Sequence, residues 1–218
     1  MDILNVIKQR RSIRAFDKRM PPRALIAECL EAATWAPSAT NQQPWEFIVL
    51  TGSALEAVNA ITEENFFQRL PDGNAFGDPP EPLKTRQQDV LDAMIAAAEK
   101  AGIDPNEIFE NSLRFFDAPV AVYFVSHKDA DSQYQLSTAA ALENFLLAAH
   151  ARGLGACWLT VTVVCAEDIK KQLSIPDDRE LLGGVALGYP VEGSMLNSFP
   201  RTRAPVDEVT RWLGFENS

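Results

Sequence analysis

Two periodicities of apolar residues take turns along the chain. Ile3, Val6 and Ile7 recur at helical spacing within 2–9, and Leu25, Ile26, Cys29, Leu30 and Ala33 do so within 22–36, so both segments are predicted helices. The second opens at a proline and stops before Pro37, where proline's missing N–H and its steric demand on the preceding residue favour a boundary. Residues 45–50, WEFIVL, alternate and then run apolar, as a half-buried or central strand does. Ser53 and Glu56 stand three apart as a capping box for the next helix. Further helices are predicted over 83–101, ended by Gly102, and from Asp104-Pro105 to about Phe116. Residues 119–126, PVAVYFVS, read as a buried strand. The broadest apolar helical face lies in 132–152, with Leu136, Ala139, Leu142, Phe145, Leu146 and Ala149. A short apolar stretch (156–164), a helix (166–173), a glycine-rich strand (182–188) and a last helix (206–213) complete the pattern. Strands separated by helices indicate a layered α/β or α+β sandwich.

Composition narrows the class. With 218 residues, 46% hydrophobic and 23% charged, the chain can bury a real core, and one domain over 1–218 is expected. Residues 71–82, PDGNAFGDPPEP, break the pattern with four prolines and two glycines; they read as a surface excursion rather than an interdomain linker. The most apolar stretch, 136–151, is interrupted by Glu143, Asn144 and His150, well short of the run of about 20 residues a membrane span needs. The N-terminal charges follow the apolar residues instead of preceding them, unlike a signal peptide, and a cytoplasmic location is expected. Three cysteines at irregular spacing suggest neither a disulfide framework nor a metal site. A net charge of −10 argues against nucleic acid as a partner.

Local charge runs against that global sign. KQRRSIR gathers Lys8, Arg10, Arg11 and Arg14 around Ser12, and FPRTRAP sets Arg201 and Arg203 two apart in an extended segment. A solvated helix end accounts for the first cluster; an anion pocket for a phosphate accounts for it equally well, since arginine forks and a hydroxyl suit that ligand. Between two prolines, PSATNQQPW (37–45) holds five hydrogen-bonding side chains that can satisfy the backbone of an irregular loop. Neither histidine sits in a catalytic motif, and His150, mid-helix near an apolar face, reads as structural. No GxGxxG follows a strand, which argues against a separate dinucleotide site.

In order and spacing, R-R-S-x-R (Arg10, Arg11, Ser12, Arg14), PSATNQQPW before an apolar strand, NFLLAAHARGLGACW (144–158) and the late RTR resemble the FMN-dependent nitroreductase family over nearly the full length. The resemblance implies an α+β fold: a three-layer α-β-α sandwich around a mixed, mainly antiparallel sheet, in a domain-entwined homodimer with flavin sites at the subunit interface. It implies FMN as cofactor and NADH or NADPH as electron donor. It also implies two-electron ping-pong reduction of a small nitroaromatic or quinone acceptor through flavin N5. Reductive dehalogenation, flavin reduction and non-catalytic FMN binding are alternatives on the same fold. By the resemblance, Arg10, Arg11, Ser12, Arg14, Arg201 and Arg203 hold the phosphate and ribityl chain, while Pro37, Ser38, Ala39 and Asn41 reach the partner's flavin. Asn111 and Arg114, at i and i+3, meet the pyrimidine edge, where Arg114 stabilises charge on the reduced ring. Leu159, Thr160 and Val161 stand where several members have an acidic residue and glycine, so a backbone N–H of Thr160 or Val161 takes over that contact. The segment from about 63 to 106 looks like a helical insertion near the pocket mouth.

Overall fold

The computed structural model describes residues 2–70, 78–128 and 132–214. Four strands, β1 (Trp45–Leu50), β2 (Val120–His127), β3 (Gly155–Leu159) and β4 (Arg179–Gly188), form one sheet in the order β1-β2-β4-β3. Every neighbouring pair is antiparallel. The parallel component of the expected mixed sheet comes down to an isolated bridge between Ser12 and Ala156.

Because successive strand residues point to opposite faces, β2 feeds two cores. Val120, Val122 and Phe124 meet Ile26, Cys29 and Ala33 of α2 (Arg23–Thr34) and Leu142 and Phe145 of α6 (Gln133–Ala151). Ala121, Tyr123 and Val125 face the other side, with Leu55 and Val58 of α3 (Gly52–Arg69), Ala98 of α4 (Leu83–Ala101), Ile108 of α5 (Pro105–Leu113) and Ile169 of α7 (Ala166–Leu173). Helices on both faces of one sheet give the three layers. α1 (Ile3–Gln9) precedes them and a single turn, α8 (Val206–Val209), follows.

Two local expectations are corrected. The capping box at Ser53 and Glu56 does not form: α3 begins at Gly52 with Thr51 at the cap and no side-chain cap hydrogen bond, which leaves Ser53 inside the first turn. The helix expected over 206–213 stops at Val209, because Thr210 turns extended (φ −126°, ψ 134°). α5 does carry its expected cap, with the Asp104 side chain accepting from the Asn106 N–H. Of the proline-rich stretch, residues 71–77 lie outside the described residues.

The glycines of β4 let aromatic rings reach the sheet. A Cβ on Gly184 would stand 2.5 Å from the ring of Phe115, which is fully buried and meets Tyr123 edge-on at 5.8 Å. Gly184→Ala should therefore overpack this core and cost about 1–3 kcal/mol. That corresponds to a fall in Tm of roughly 3–10 °C for a chain of this size, read by calorimetry, with partial recovery when Phe115→Leu is added. An unchanged Tm would mean that the Phe115 ring shifts without cost.

Candidate functional site

Beyond α1, residues 10–17 run along the free side of β3. The Ile13 N–H donates to the Ala156 carbonyl oxygen (3.0 Å) and the Asp17 N–H to that of Tyr189 (2.8 Å). Gly155 permits this approach, since a Cβ there would lie 2.8 Å from the Ile13 side chain. Residues 195–203 then fold back over the same segment. The Asn197 side-chain oxygen accepts from the N–H groups of Arg14 (2.8 Å) and Ala15 (3.0 Å), and its amide nitrogen donates to the Ala15 carbonyl (2.8 Å). Arg201 donates to the carbonyl oxygens of Lys8 and Arg10, and Arg11 to that of Phe199.

Both basic clusters thereby meet around one small cavity of about 120 Å³, bounded by Arg10, Arg11, Ser12, Arg14, Arg201 and Arg203 with Phe199 and Val90. The guanidinium groups of Arg11 and Arg14 lie 5.8 and 5.6 Å from the centre of the Phe199 ring. Arg10 has a carboxylate partner, Glu143 at 3.3 Å. Among the described residues Arg11, Arg14, Arg201 and Arg203 have none within 4 Å. Burial and then Arg14 push the Arg11 pKa down; burial, then Arg11, Arg203 and Arg10, do the same to Arg201. Positive charge is thus concentrated beyond what the protein neutralises, which is the condition an anionic ligand relieves. His150 borders the cluster. Burial, then Arg10 and Arg201, lower its pKa, and its buried Nε2 has no hydrogen-bond partner. The histidine read from the sequence as structural therefore keeps one buried ring nitrogen unsatisfied among the described residues.

Arg14 also borders a second, larger cavity of about 380 Å³. β3 and the turn after it bring Cys157, Leu159, Thr160 and Val161 to one side; α4 brings Leu91, Met94 and Ile95, and α5 brings Ile108 and Phe109. Phe116 closes one end from an unusual turn, in which Phe115, Phe116 and Asp117 all have positive φ (56°, 54°, 53°). Such a run costs about 1–2 kcal/mol per residue. It sends Phe115 into the core beneath Gly184 while Phe116 lines the cavity.

Asn111 and Arg114 do share a helix face, and Arg114 donates to the Asn111 side-chain oxygen. Neither lines either cavity; Ser112, between them, does. Arg114 instead clasps the left-handed turn through Asp117 (2.9 Å) and reaches Glu63 on α3 (3.4 Å). Burial works against its charge, but Asp117 and Glu63 together hold its pKa above the ordinary value. Meeting a ring edge in this cavity would require Arg114 to leave both carboxylates.

Pro37, Ala39 and Asn41 are exposed, and with half-buried Ser38 they line neither of the two cavities. The loop is nonetheless well defined. The Ser38 hydroxyl oxygen accepts from the Gln43 N–H (3.0 Å), and Thr40, Asn41 and Gln43 take positive φ.

Sequence reasoning missed Asn197, Phe199 and the individual wall residues of α4 and α5, although it set the segment from about 63 to 106 near the pocket mouth, where Leu91, Met94 and Ile95 line the larger cavity. Asn197 ends a single 3-10 turn (Met195–Asn197) and Phe199 lies in the irregular chain just beyond it, where no periodicity marks a residue. On α4, the pairs Leu91 with Ile95 and Val90 with Met94 follow i, i+4 spacing and were legible as a stripe, but a stripe does not say whether it covers a core or a cavity.

A 28% identical chloronitrobenzene nitroreductase of Comamonas testosteroni aligns over 96% of this chain and 96% of its own. A 4-nitrobenzoate reductase of Pseudomonas putida is 29% identical over 97% and 95%. Among solved structures, the FMN and NADPH-dependent nitroreductase NfnB from sphigopyxis sp. strain HMH superposes with a TM-score of 0.89 at 27% identity, over 99% of this chain and 100% of that one. The model of the nitroreductase family matches residues 7–189, and with most of its length matched, the chain belongs to the nitroreductase family.

Proposed function

We propose that this single-domain chain is an FMN-dependent oxidoreductase that takes electrons from NADH or NADPH and reduces a nitroaromatic or quinone acceptor. The observation that carries the reading is Arg14, which borders both the arginine-lined cavity and the apolar one. A phosphate end and a flat apolar end, joined, are the two halves of a flavin mononucleotide. The donor set fits: five guanidinium groups and a hydroxyl surround a space of phosphate size, and a 380 Å³ cavity falls in the range of small-ligand sites. FMN, when bound, supplies the two-electron chemistry.

The chain's own residues position and shield. Arg10, Arg11, Ser12, Arg14, Arg201 and Arg203 hold the phosphate and ribityl chain. Leu159, Thr160 and Val161, at the end of β3, would line the ring, with a backbone N–H of Thr160 or Val161 available to it. Phe116 and the α4–α5 wall exclude water on the other side. Donor and acceptor share the space that the ring would leave in the apolar cavity and occupy it in turn, which gives ping-pong kinetics. The exchange balances: NAD(P)H and one proton convert a nitro group to a nitroso group with release of water. Asn111 and Arg114 support the ring site by holding the Phe115–Phe116 turn. In the homodimer, Pro37, Ser38, Ala39 and Asn41 serve the partner subunit's flavin, in keeping with their exposure here. No helix among the described residues is long and apolar enough to cross a membrane, and the enzyme works in the cytoplasm.

Arg203, exposed and free of any carboxylate, isolates the phosphate contact. Arg203→Ala should weaken FMN binding roughly 10- to 100-fold, the loss expected from one charge-assisted hydrogen bond, and leave riboflavin binding nearly unchanged. Flavin fluorescence titration reads both, and equal affinity of the variant and the parent for FMN would remove Arg203 from the site.

Asn197→Ala leaves the N–H groups of Arg14 and Ala15 without partners. We expect a loss of about 2–4 kcal/mol, a Tm lower by roughly 5–15 °C, and a larger loss of affinity for FMN than for riboflavin. Parallel losses for the two ligands would make Asn197 a fold residue alone.

A further inference from the structure

If the apolar cavity receives the acceptor, as the proposed function holds, its walls also choose among acceptors. Leu91, Met94, Ile95, Ile108 and Phe109 offer hydrocarbon and an aromatic face. The two polar residues interspersed with them, Asn106 and Ser112, each have partners within the protein. The Ser112 hydroxyl donates to the Phe109 carbonyl (2.6 Å), and Asn106 donates from its backbone (2.9 Å) and its side-chain amide (3.0 Å) to the carboxylate of Asp104. Asp104 thus stands as a negative charge directly behind a residue of the cavity wall. Among the described residues lining the cavity, Arg14 is the one permanently charged side chain. It is turned toward the basic side: its guanidinium donates to the Ser12 carbonyl (3.4 Å) and lies near the Phe199 ring.

We propose that this cavity selects uncharged nitroarenes over nitroarenes carrying a carboxylate, and that the α4–α5 wall makes the selection. A neutral ring gains by leaving water for this wall. A carboxylate on the same ring is desolvated against hydrocarbon, finds no cation among the α4 and α5 residues that line the cavity, and is repelled by Asp104 behind Asn106. Attraction to Arg14 does not offset this, because Arg14 is committed to the phosphate side.

The test compares three acceptors with the FMN-loaded enzyme at neutral pH: nitrobenzene, methyl 4-nitrobenzoate and 4-nitrobenzoate. The ester matches the acid in outline and lacks only its charge. We expect nitrobenzene and the ester to have similar kcat/KM and the acid to fall about 10- to 100-fold below the ester, the penalty of an unpaired buried charge. A second measurement needs no turnover. Titrating the oxidised enzyme with methyl benzoate and benzoate, read by perturbation of flavin absorbance, should give a Kd weaker for benzoate by a similar factor. Ile95→Lys puts a cation on the wall at a partly exposed position, where the long stem can reach the rim. It should raise the acid-to-ester ratio of kcat/KM by at least about tenfold.

Equal kcat/KM for acid and ester, or equal affinity for benzoate and its ester, overturns the selectivity while leaving nitroarene reduction standing. An unmoved ratio in Ile95→Lys overturns the assignment of the selection to this wall. Failure to reduce any of the three acceptors removes nitroarene reduction from the proposed function instead, and the benzoate titration still decides the selectivity.

Discussion

Like charges brought together without a compensating carboxylate are the constraint around which this site is organised. Arg11, Arg14, Arg201 and Arg203 repel one another across a cavity of about 120 Å³, and in a partly dry setting that repulsion is not well screened. Backbone carbonyls hold the groups in place: Phe199 takes Arg11, while Lys8 and Arg10 take Arg201. Neutral dipoles can orient a guanidinium without cancelling its charge, so the protein fixes geometry and leaves the field unspent. A carboxylate in the same positions would hold the arginines better and abolish the site. Asn197 serves the same end, being uncharged and able to donate and accept at once toward residues 14 and 15.

The apolar half depends on a different economy of space. Phe115 reaches the core because Gly184 has no side chain, and Ile13 reaches β3 because Gly155 has none. Three consecutive left-handed residues let neighbouring phenylalanines diverge, one to the core and one to the cavity. The strain is offset by burial of two aromatic side chains and by the Arg114–Asp117 pair that closes the turn. Arg114 is part exposed, so its ion pairs fix direction more than they add stability. Its value lies in keeping Phe116 where it is.

Much of the framework was legible from periodicity alone. β1 and α4 fall at the bounds read from the sequence, and α7 does too, since alternation in a strand and i, i+3, i+4 spacing in a helix repeat the same signal along the element. The arginine clusters stood out because their sign opposes that of the chain, although only folding could bring residues 10–14 and 199–203 together around one cavity. What failed was directional. The i, i+3 spacing of Asn111 and Arg114 correctly put them on one face but could not say that this face meets Glu63 rather than a cavity. Asn197 was invisible for a related reason. Its role lies in long-range partners, and a lone asparagine between serine-flanked turns has no local pattern to announce it. The missing capping box at Ser53 shows the limit from the other side, since a motif fixes a helix start only if the backbone does not start the helix one residue sooner.

The loop at 37–43 bears on how the site is completed. Loops that merely connect elements relax into ordinary backbone regions, yet here Thr40, Asn41 and Gln43 keep positive φ while exposed to water. Each such residue costs on the order of 1 kcal/mol or more, and within the described residues the recovery comes from Ser38 accepting from Gln43, from the backbone bonds of Asn41 to Ser38 and Gln42 to Ala39, and from side-chain contacts among neighbours, all inside the loop itself. Strain that its own chain does not repay, in a segment of fixed shape that faces outward, is what pre-organisation for a partner requires: the entropy of ordering is met on folding rather than on association. In the proposed homodimer that cost would lower the barrier to assembling two sites at once, and the chain would commit its polar loop to a flavin it does not itself hold.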